Sequence, residues 1–332
     1  MHFLRLRKIP NGPLRIEIQS TAEGTRIVKL FSSEMQAPSL VHEFETKYTV
    51  ELIEALLKTH GAASLWDEIR RDEDPTHIRR RLGALIEAHG IVPSKTHRIL
   101  DFGCGAGAST LNLSRFFPSA EVIGIEPQRQ MIEVARKRAD FWELSNISFL
   151  PSESDTKLPE VRGPFDLILL NAVYEHLLPD ERRLLLPQLW RALRPQGIVI
   201  ITATPHRYYP FEIHSTSLPL INYLPDSLAF HCAKKFSRRV CGDPTWESLL
   251  KGGIRGGTPR GVLAHLTAGN LQEGEILVPR GENIKDSVDL WWSATDPLRS
   301  KFQRRVAFVI GKIGGIFGLE LLPSLEMAIR KV

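Results

Sequence analysis

Cysteine is scarce in this chain: Cys104, Cys232 and Cys241 are the only three in 332 residues. An odd set without paired spacing excludes a disulfide framework and argues against a zinc centre, so no metal site is expected. Long uncharged apolar runs are also lacking, and none reaches the length needed to span a bilayer. The amino terminus, Met-His-Phe-Leu-Arg-Leu-Arg-Lys, has charge but no apolar stretch of signal-peptide length. A cytoplasmic protein is therefore the expectation. Charge of one sign is in small excess, a formal +5, which draws anionic partners only weakly. A hydrophobic content of 42% and a charged content of 24% place the chain among globular proteins. Its length suffices for one core domain with additions.

What is present is concentrated in His97-Arg-Ile-Leu-Asp-Phe-Gly-Cys-Gly-Ala-Gly-Ala-Ser109. A short apolar strand runs into Asp101, then a turn dense in glycine (Gly103, Gly105, Gly107), then a helix. Glycine lets a backbone turn tightly and approach a ligand without a Cβ, and a helix start offers free N–H groups. Glu126 ends the next apolar run, Glu121-Val-Ile-Gly-Ile-Glu126. It stands about 20 residues beyond the turn, where a ribose-hydroxyl acceptor belongs. By itself the turn also fits a dinucleotide-binding fingerprint, Gly103-x-Gly105-x-x-Ala108. Asp101 weighs against that reading, because its carboxylate would crowd a pyrophosphate but suits an ammonium group.

Asp101-Phe-Gly103-Cys-Gly105-Ala-Gly107 resembles the first motif of the class I S-adenosylmethionine-dependent methyltransferases. The resemblance runs from about residue 96 to 205 and has four further ordered parts: Glu126; Pro151-Ser-Glu153-Ser-Asp155 after the run Ile147-Ser-Phe-Leu150; Phe165-Asp-Leu-Ile-Leu-Leu-Asn171 followed by Ala-Val-Tyr174-Glu175-His176; and Arg194-Pro-Gln-Gly197 leading into Ile198-Val-Ile-Ile-Thr-Ala203. The family usually has two glycines before its fifth strand, and here Gln196 replaces one. The resemblance implies S-adenosyl-L-methionine as cofactor. It assigns Asp101, Gly103, Cys104, Gly105, Gly107, Glu126, Pro127, Glu153, Ser154 and Asn171 to the cofactor pocket, with Glu126 on the ribose and Glu153 at the adenine end.

The expected fold is α/β: a Rossmann-like, doubly wound, mostly parallel seven-stranded sheet, with N-terminal and C-terminal additions capping the active site. Residues 1–95 form an extension. Leu14-Arg-Ile-Glu-Ile-Gln and Thr25-Arg-Ile-Val-Lys-Leu-Phe31 alternate as strands, and Ala22-Glu-Gly24 joins them as a hairpin. Apolar spacings of three and four predict helices at 49–60 and 76–89. Residues 96–205 alternate strand and helix, which gives a parallel sheet with helices on both faces. Asp101, Glu126, Glu153 and Asn171 all fall at strand carboxyl ends and converge on one crevice. Residues 206–332 would supply a substrate cap, then strands at Glu275-Ile-Leu-Val278 and Ser287-Val-Asp-Leu-Trp-Trp292, and a tail helix from Lys301 to Val332. That helix carries Phe302, Val306, Val309, Ile313 and Phe317 near one face, a pattern able to rest on an anionic membrane.

A methyl acceptor with a hydroxyl group needs a base near neutral pH, and histidine suits that task. His176, His206 and His214 are the catalytic candidates. Tyr174, Tyr208, Tyr209, Glu212 and Arg255 are the substrate-lining ones. Each also fits an ordinary structural role. The chain has no Asn-Pro-Pro-Tyr stretch, the family's mark of amino-group methylation, and no basic module interleaved with aromatics. A small-molecule, lipid or glycan acceptor, O-methylated, is the expectation, and nucleic acid is disfavoured. A nicotinamide-dependent oxidoreductase, an RNA methyltransferase and a non-catalytic cofactor-binding subunit stay open as alternatives.

Overall fold

In a computed structural model the described residues are 3–5, 14–32, 39–152, 156–160, 163–270, 272–298 and 300–332. The alternating segments near the amino terminus pair as expected and gain neighbours. Strands β1 (Phe3–Arg5), β2 (Leu14–Ser20), β3 (Arg26–Ser32) and β4 (Ser39–Thr46) form an antiparallel sheet in that order. Gly24 turns the β2–β3 hairpin at φ +85°. Period-two side chains Ile16, Ile18, Val28 and Leu30 are buried in one cluster with Leu52, Ile53 and Leu56 of helix α1 (Val50–His60). Thr49 caps α1 by accepting from the N–H of Leu52.

Helix α2 (Leu65–Glu73) follows, then α3 (Arg80–Ala88). The single helix expected over 76–89 is shorter because Asp74 accepts from the N–H of Thr76 at 2.7 Å, Pro75 follows it, and His77 leaves helical geometry.

The large sheet is built from β5 (Arg98–Phe102), β6 (Glu121–Glu126), β7 (Ile147–Pro151), β8 (Phe165–Asn171), β9 (Leu193–Pro205), β10 (Gly274–Ile276) and β11 (Ser324–Lys331). Its order is β10-β11-β9-β8-β5-β6-β7. Strands β5 to β9 pair in parallel, whereas β11 runs antiparallel to β9 and β10 to β11. Helices α4 (Ala108–Phe116), α5 (Arg129–Phe141) and α6 (Pro179–Ala192) connect the parallel strands. The strand order reverses between β5 and β8, which opens a crevice at their carboxyl ends. The seven-stranded, mostly parallel sheet is the expected Rossmann-like fold. Its last strand inserts between the fifth and sixth, unlike the dinucleotide order 3-2-1-4-5-6.

Beyond β9 come α7 (Asp226–Phe236), α8 (Trp246–Lys251), α9 (Pro259–Thr267), α10 (Ser287–Ala294) and α11 (Lys301–Ile316). Two expectations are corrected here. Ser287–Trp292 is not a strand: Asp286 accepts from the N–H groups of Val288 and Asp289 and starts α10. The tail is not one helix: it leaves the α-helix after Ile316, turns at Gly318 (φ +69°), and returns as β11, whose Leu325, Met327, Ala328 and Ile329 are buried in the sheet. On α11 the apolar stripe Phe302, Val309 and Ile313 is exposed. Among the described residues no helix is long and apolar enough to cross a membrane.

The extension and the sheet are joined by Arg138, which is fully buried on α5. Its guanidinium donates to Asp72 Oδ1 at 2.6 Å, Tyr48 Oη at 2.9 Å, the Glu68 carbonyl at 2.7 Å and the Ala106 carbonyl at 3.1 Å. Asp72 also accepts from Tyr48 Oη and Trp142 Nε1. Removing one partner of such a pair leaves an uncompensated buried charge, so Arg138→Ala should lose about 3–5 kcal/mol of stability. Urea unfolding followed by far-UV dichroism checks this, and an unchanged midpoint would contradict it.

Candidate functional site

The site begins where β5 ends. Gly103, Gly105 and Gly107 have φ of +74°, +54° and +87°. The N–H groups of Gly103 and Cys104 donate to the Ile125 carbonyl at 2.8 and 3.0 Å, which pins the turn to β6. A Cβ at Gly103 would stand 2.6 Å from Val173, and one at Gly107 2.8 Å from Ala135. At Gly105 it would meet nothing within 4 Å. Two glycines are thus needed for close packing as well as for their turn, and the third faces open space. Cys104 is buried, its sulfur against Gly124.

Asp101 is 1% exposed. Its Oδ2 accepts from the hydroxyls of Ser109 at 2.7 Å and Thr110 at 2.6 Å, both on the first turn of α4. Its buried Oδ1 has no partner among the described residues. Burial pushes the Asp101 carboxyl up to about 6. Glu126 accepts from the N–H of Gly105 through Oε2 and from that of Gln128 through Oε1, each at 3.1 Å. Burial raises its pKa as well. Pro127, next in the chain, is exposed at the strand end. Asn171 ends β8 with its buried Oδ1 also unpartnered among the described residues. Glu153 and Ser154 lie outside the described residues; Ser152 donates its N–H to the Glu126 carbonyl at 3.1 Å.

Past β8 the backbone turns sharply at Ala172 (φ +55°), bringing Val173 under the glycine turn and starting a short helical turn, Tyr174–His176. Arg182 of α6 holds that turn by donating to the carbonyls of Tyr174 and Glu175. The Glu175 side chain is fully buried. Its Oε2 accepts from Thr204 Oγ1 at 2.9 Å, and its Oε1 lies 3.8 Å from His176 Nε2. His176 Nδ1 is 2.6 Å from the Lys251 carbonyl, and the His176 and His214 ring centres are 5.4 Å apart. Two of the three candidate histidines therefore meet, from different parts of the chain.

Other expected residues have structural positions. His206 is buried. Its Nδ1 accepts from the N–H of Tyr208, so the neutral ring carries its proton on Nε2. Burial pulls its pKa down to about 4, and it does not suit a base. Tyr174 is buried, its hydroxyl on His265 Nδ1 and its ring under Arg182. Tyr209 packs with Val288, Trp291, Ala307 and Leu322, whereas Tyr208 is exposed. Glu212 spends both oxygens on the N–H groups of His214, Ser215 and Thr216 and on two nearby hydroxyls, closing its own loop. Arg255 donates to the carbonyls of Ile221, Asn222 and Leu224 and to Asp226. Tyr174, Tyr209, Glu212 and Arg255 therefore all have structural partners within the protein. Sequence reading overlooked Glu175, Thr204, Ser109 and Thr110. The hydroxyl pair just past the third glycine was a usable signal, whereas nothing local marks Thr204.

The residues fit the cofactor that the resemblance implies. Asp101 Oδ1 and Asn171 Oδ1 are buried acceptors lacking a donor, which an amino-acid ammonium would supply. Both Glu126 oxygens keep lone pairs for ribose hydroxyls. An ammonium binds the ionised form of Asp101, so below about pH 6 binding must release a proton. S-adenosylhomocysteine affinity should then fall about tenfold per pH unit below that point. Asp101→Asn should bind more weakly at alkaline pH and lose the dependence. Glu126→Ala should cost about 1.5–3 kcal/mol of affinity. Isothermal titration across pH checks all three, and unchanged affinities would contradict the placement.

Residues 99–197 match the family model of a methyltransferase domain. Over 111 residues the chain is 40% identical to trans-aconitate 2-methyltransferase of Methylobacterium radiotolerans, covering 33% of this chain and 39% of that protein. It is 31% identical over 128 residues to demethylmenaquinone methyltransferase of Lactococcus lactis, covering 38% and 50%. The chain spans between 39% and 44% of the length of the first curated relatives it matches. The solved plantazolicin methyltransferase BpumL in complex with SAH is 15% identical, with a TM-score of 0.44 over 84% of this chain and 93% of that one. The glycine turn, its two carboxylates and the family match together identify residues 99–197 as a methyltransferase domain of the class I S-adenosylmethionine-dependent type.

Proposed function

We propose that this protein transfers a methyl group from S-adenosylmethionine to an oxygen of a small-molecule, lipid or glycan acceptor. The observation that carries the reading is that Asp101 Oδ1 and Asn171 Oδ1 are buried acceptors without a donor among the described residues, near the carboxyl ends of the adjacent strands β5 and β8, while Glu175 and His176 follow β8 and meet His214. Bound there, S-adenosylmethionine supplies a sulfonium methyl group. Asp101, Glu126 and the glycine turn would orient it, and holding the acceptor in line can contribute up to about 7–11 kcal/mol. Transfer to a hydroxyl oxygen would leave S-adenosylhomocysteine and release the hydroxyl proton, which the protein would have to help remove. The His176–His214 pair is the group positioned to assist that loss. Relatives named for trans-aconitate and demethylmenaquinone support a small-molecule acceptor, while the cap beyond residue 197 lies outside the family match.

Incubating the protein with methyl-labelled S-adenosylmethionine and a cell extract tests this. Label should appear in the small-molecule or lipid fraction. Label confined to protein or nucleic acid, or no transfer, would contradict the reading. With an acceptor in hand, His176→Ala and His214→Ala should lower turnover by about 100-fold or more, while S-adenosylhomocysteine still binds.

A further inference from the structure

We infer that Glu175, His176 and His214 form a binding site for a first-row divalent transition-metal ion beside the turn that follows β8. One ligand atom from each of these side chains lies within 4.8 Å of the others. Two imidazoles and a carboxylate are the donor set of open, zinc-type sites, and imidazole favours zinc, iron, cobalt or nickel over magnesium or calcium. Ligands of a tetrahedral zinc ion stand about 3.4 Å apart at bond lengths of about 2.0–2.2 Å. The three side chains need only draw slightly together.

Two further observations point to a ligand. Glu175 is fully buried, yet its Oε1 has no hydrogen-bond donor among the described residues and is aimed at His176 Nε2, 3.8 Å away. A bare carboxylate oxygen in such surroundings is costly unless a cation meets it. The outer contacts are also those of a metal site. With Nδ1 donating to the Lys251 carbonyl at 2.6 Å, His176 presents the lone pair of Nε2 to the cluster. Thr204 fixes the other oxygen of Glu175, leaving Oε1 to ligate. Gly253, at φ +86°, makes room: a Cβ there would stand 2.7 Å from the His214 ring and 3.2 Å from Glu175 Cγ.

The expectation of no metal rested on cysteine spacing, and this group contains no cysteine. An ion held here keeps open positions for water or for acceptor oxygens. It would be the means by which His176 and His214 activate a hydroxyl, by lowering its pKa as zinc does for water. That role rests on the proposed methyl transfer, but the site itself does not, and its test uses neither cofactor nor acceptor.

The full-length protein, stripped with a chelator, is titrated with Co2+ and followed by visible absorption, then with Zn2+ by calorimetry. The expected result is one equivalent bound, with d–d bands for cobalt. Glu175→Gln and His214→Ala should abolish the bands, and Thr204→Val should weaken binding about 10–100-fold. Unchanged S-adenosylhomocysteine binding would show that these variants remain folded. No stoichiometric ion, or binding unaltered in Glu175→Gln and His214→Ala, would overturn the inference.

Discussion

The buried ion pair between Arg138 and Asp72 is the constraint on which the rest of the site depends. Arg138 is enclosed entirely by protein, and its hydrogen-bond partners are far from it in sequence: Tyr48, Glu68 and Asp72 in the extension and Ala106 in the glycine turn. A charge in that position is tolerated only while all its partners are present. The N-terminal sheet and helices are thereby fastened to the back of the cofactor turn. The carbonyl of Ala106, fixed by Arg138, sits between the two glycines that need left-handed backbone at Gly105 and Gly107.

On the open side of that turn the electrostatics are one-sided. Asp101 and Glu126 bring two carboxylates close to a desolvated crevice, and burial pushes both pKa values up. No basic side chain hydrogen-bonds to either one among the described residues; Asp101 is held by hydroxyls and Glu126 by backbone N–H groups. Such a pocket is incomplete without a cation and hostile to a pyrophosphate. The reversed last strand points the same way, since the dinucleotide-binding order has no such insertion. A further buried carboxylate, Glu175, stands on the turn that follows β8.

The core was legible because it is local. Each parallel strand is a short apolar run, each turn carries its own glycine or acid, and Asp101, Glu126 and Asn171 sit where strand ends put them. The N-terminal hairpin was legible for the same reason. The cap was not, because its chemistry depends on distant partners. Glu212 and Arg255 look like ligand contacts in sequence, but both are consumed by backbone groups of the loops they support. Tyr209 faces Trp291 and Leu322, from segments some eighty residues or more downstream. The tail misled through composition: Ser324-Leu-Glu-Met-Ala-Ile-Arg-Lys carries helix-forming residues, and only the vacant place beside β9 makes it a strand. Glu175 was passed over because its burial and its bare oxygen are tertiary facts.

The most direct measurement is an isothermal titration of the purified protein with S-adenosylhomocysteine, run beside one with NADH. Saturable binding of the first with one site per chain, and no heat from the second, is the predicted result. A response to NADH with silence from S-adenosylhomocysteine would contradict it and would reassign Asp101 and Glu126 to a dinucleotide pocket.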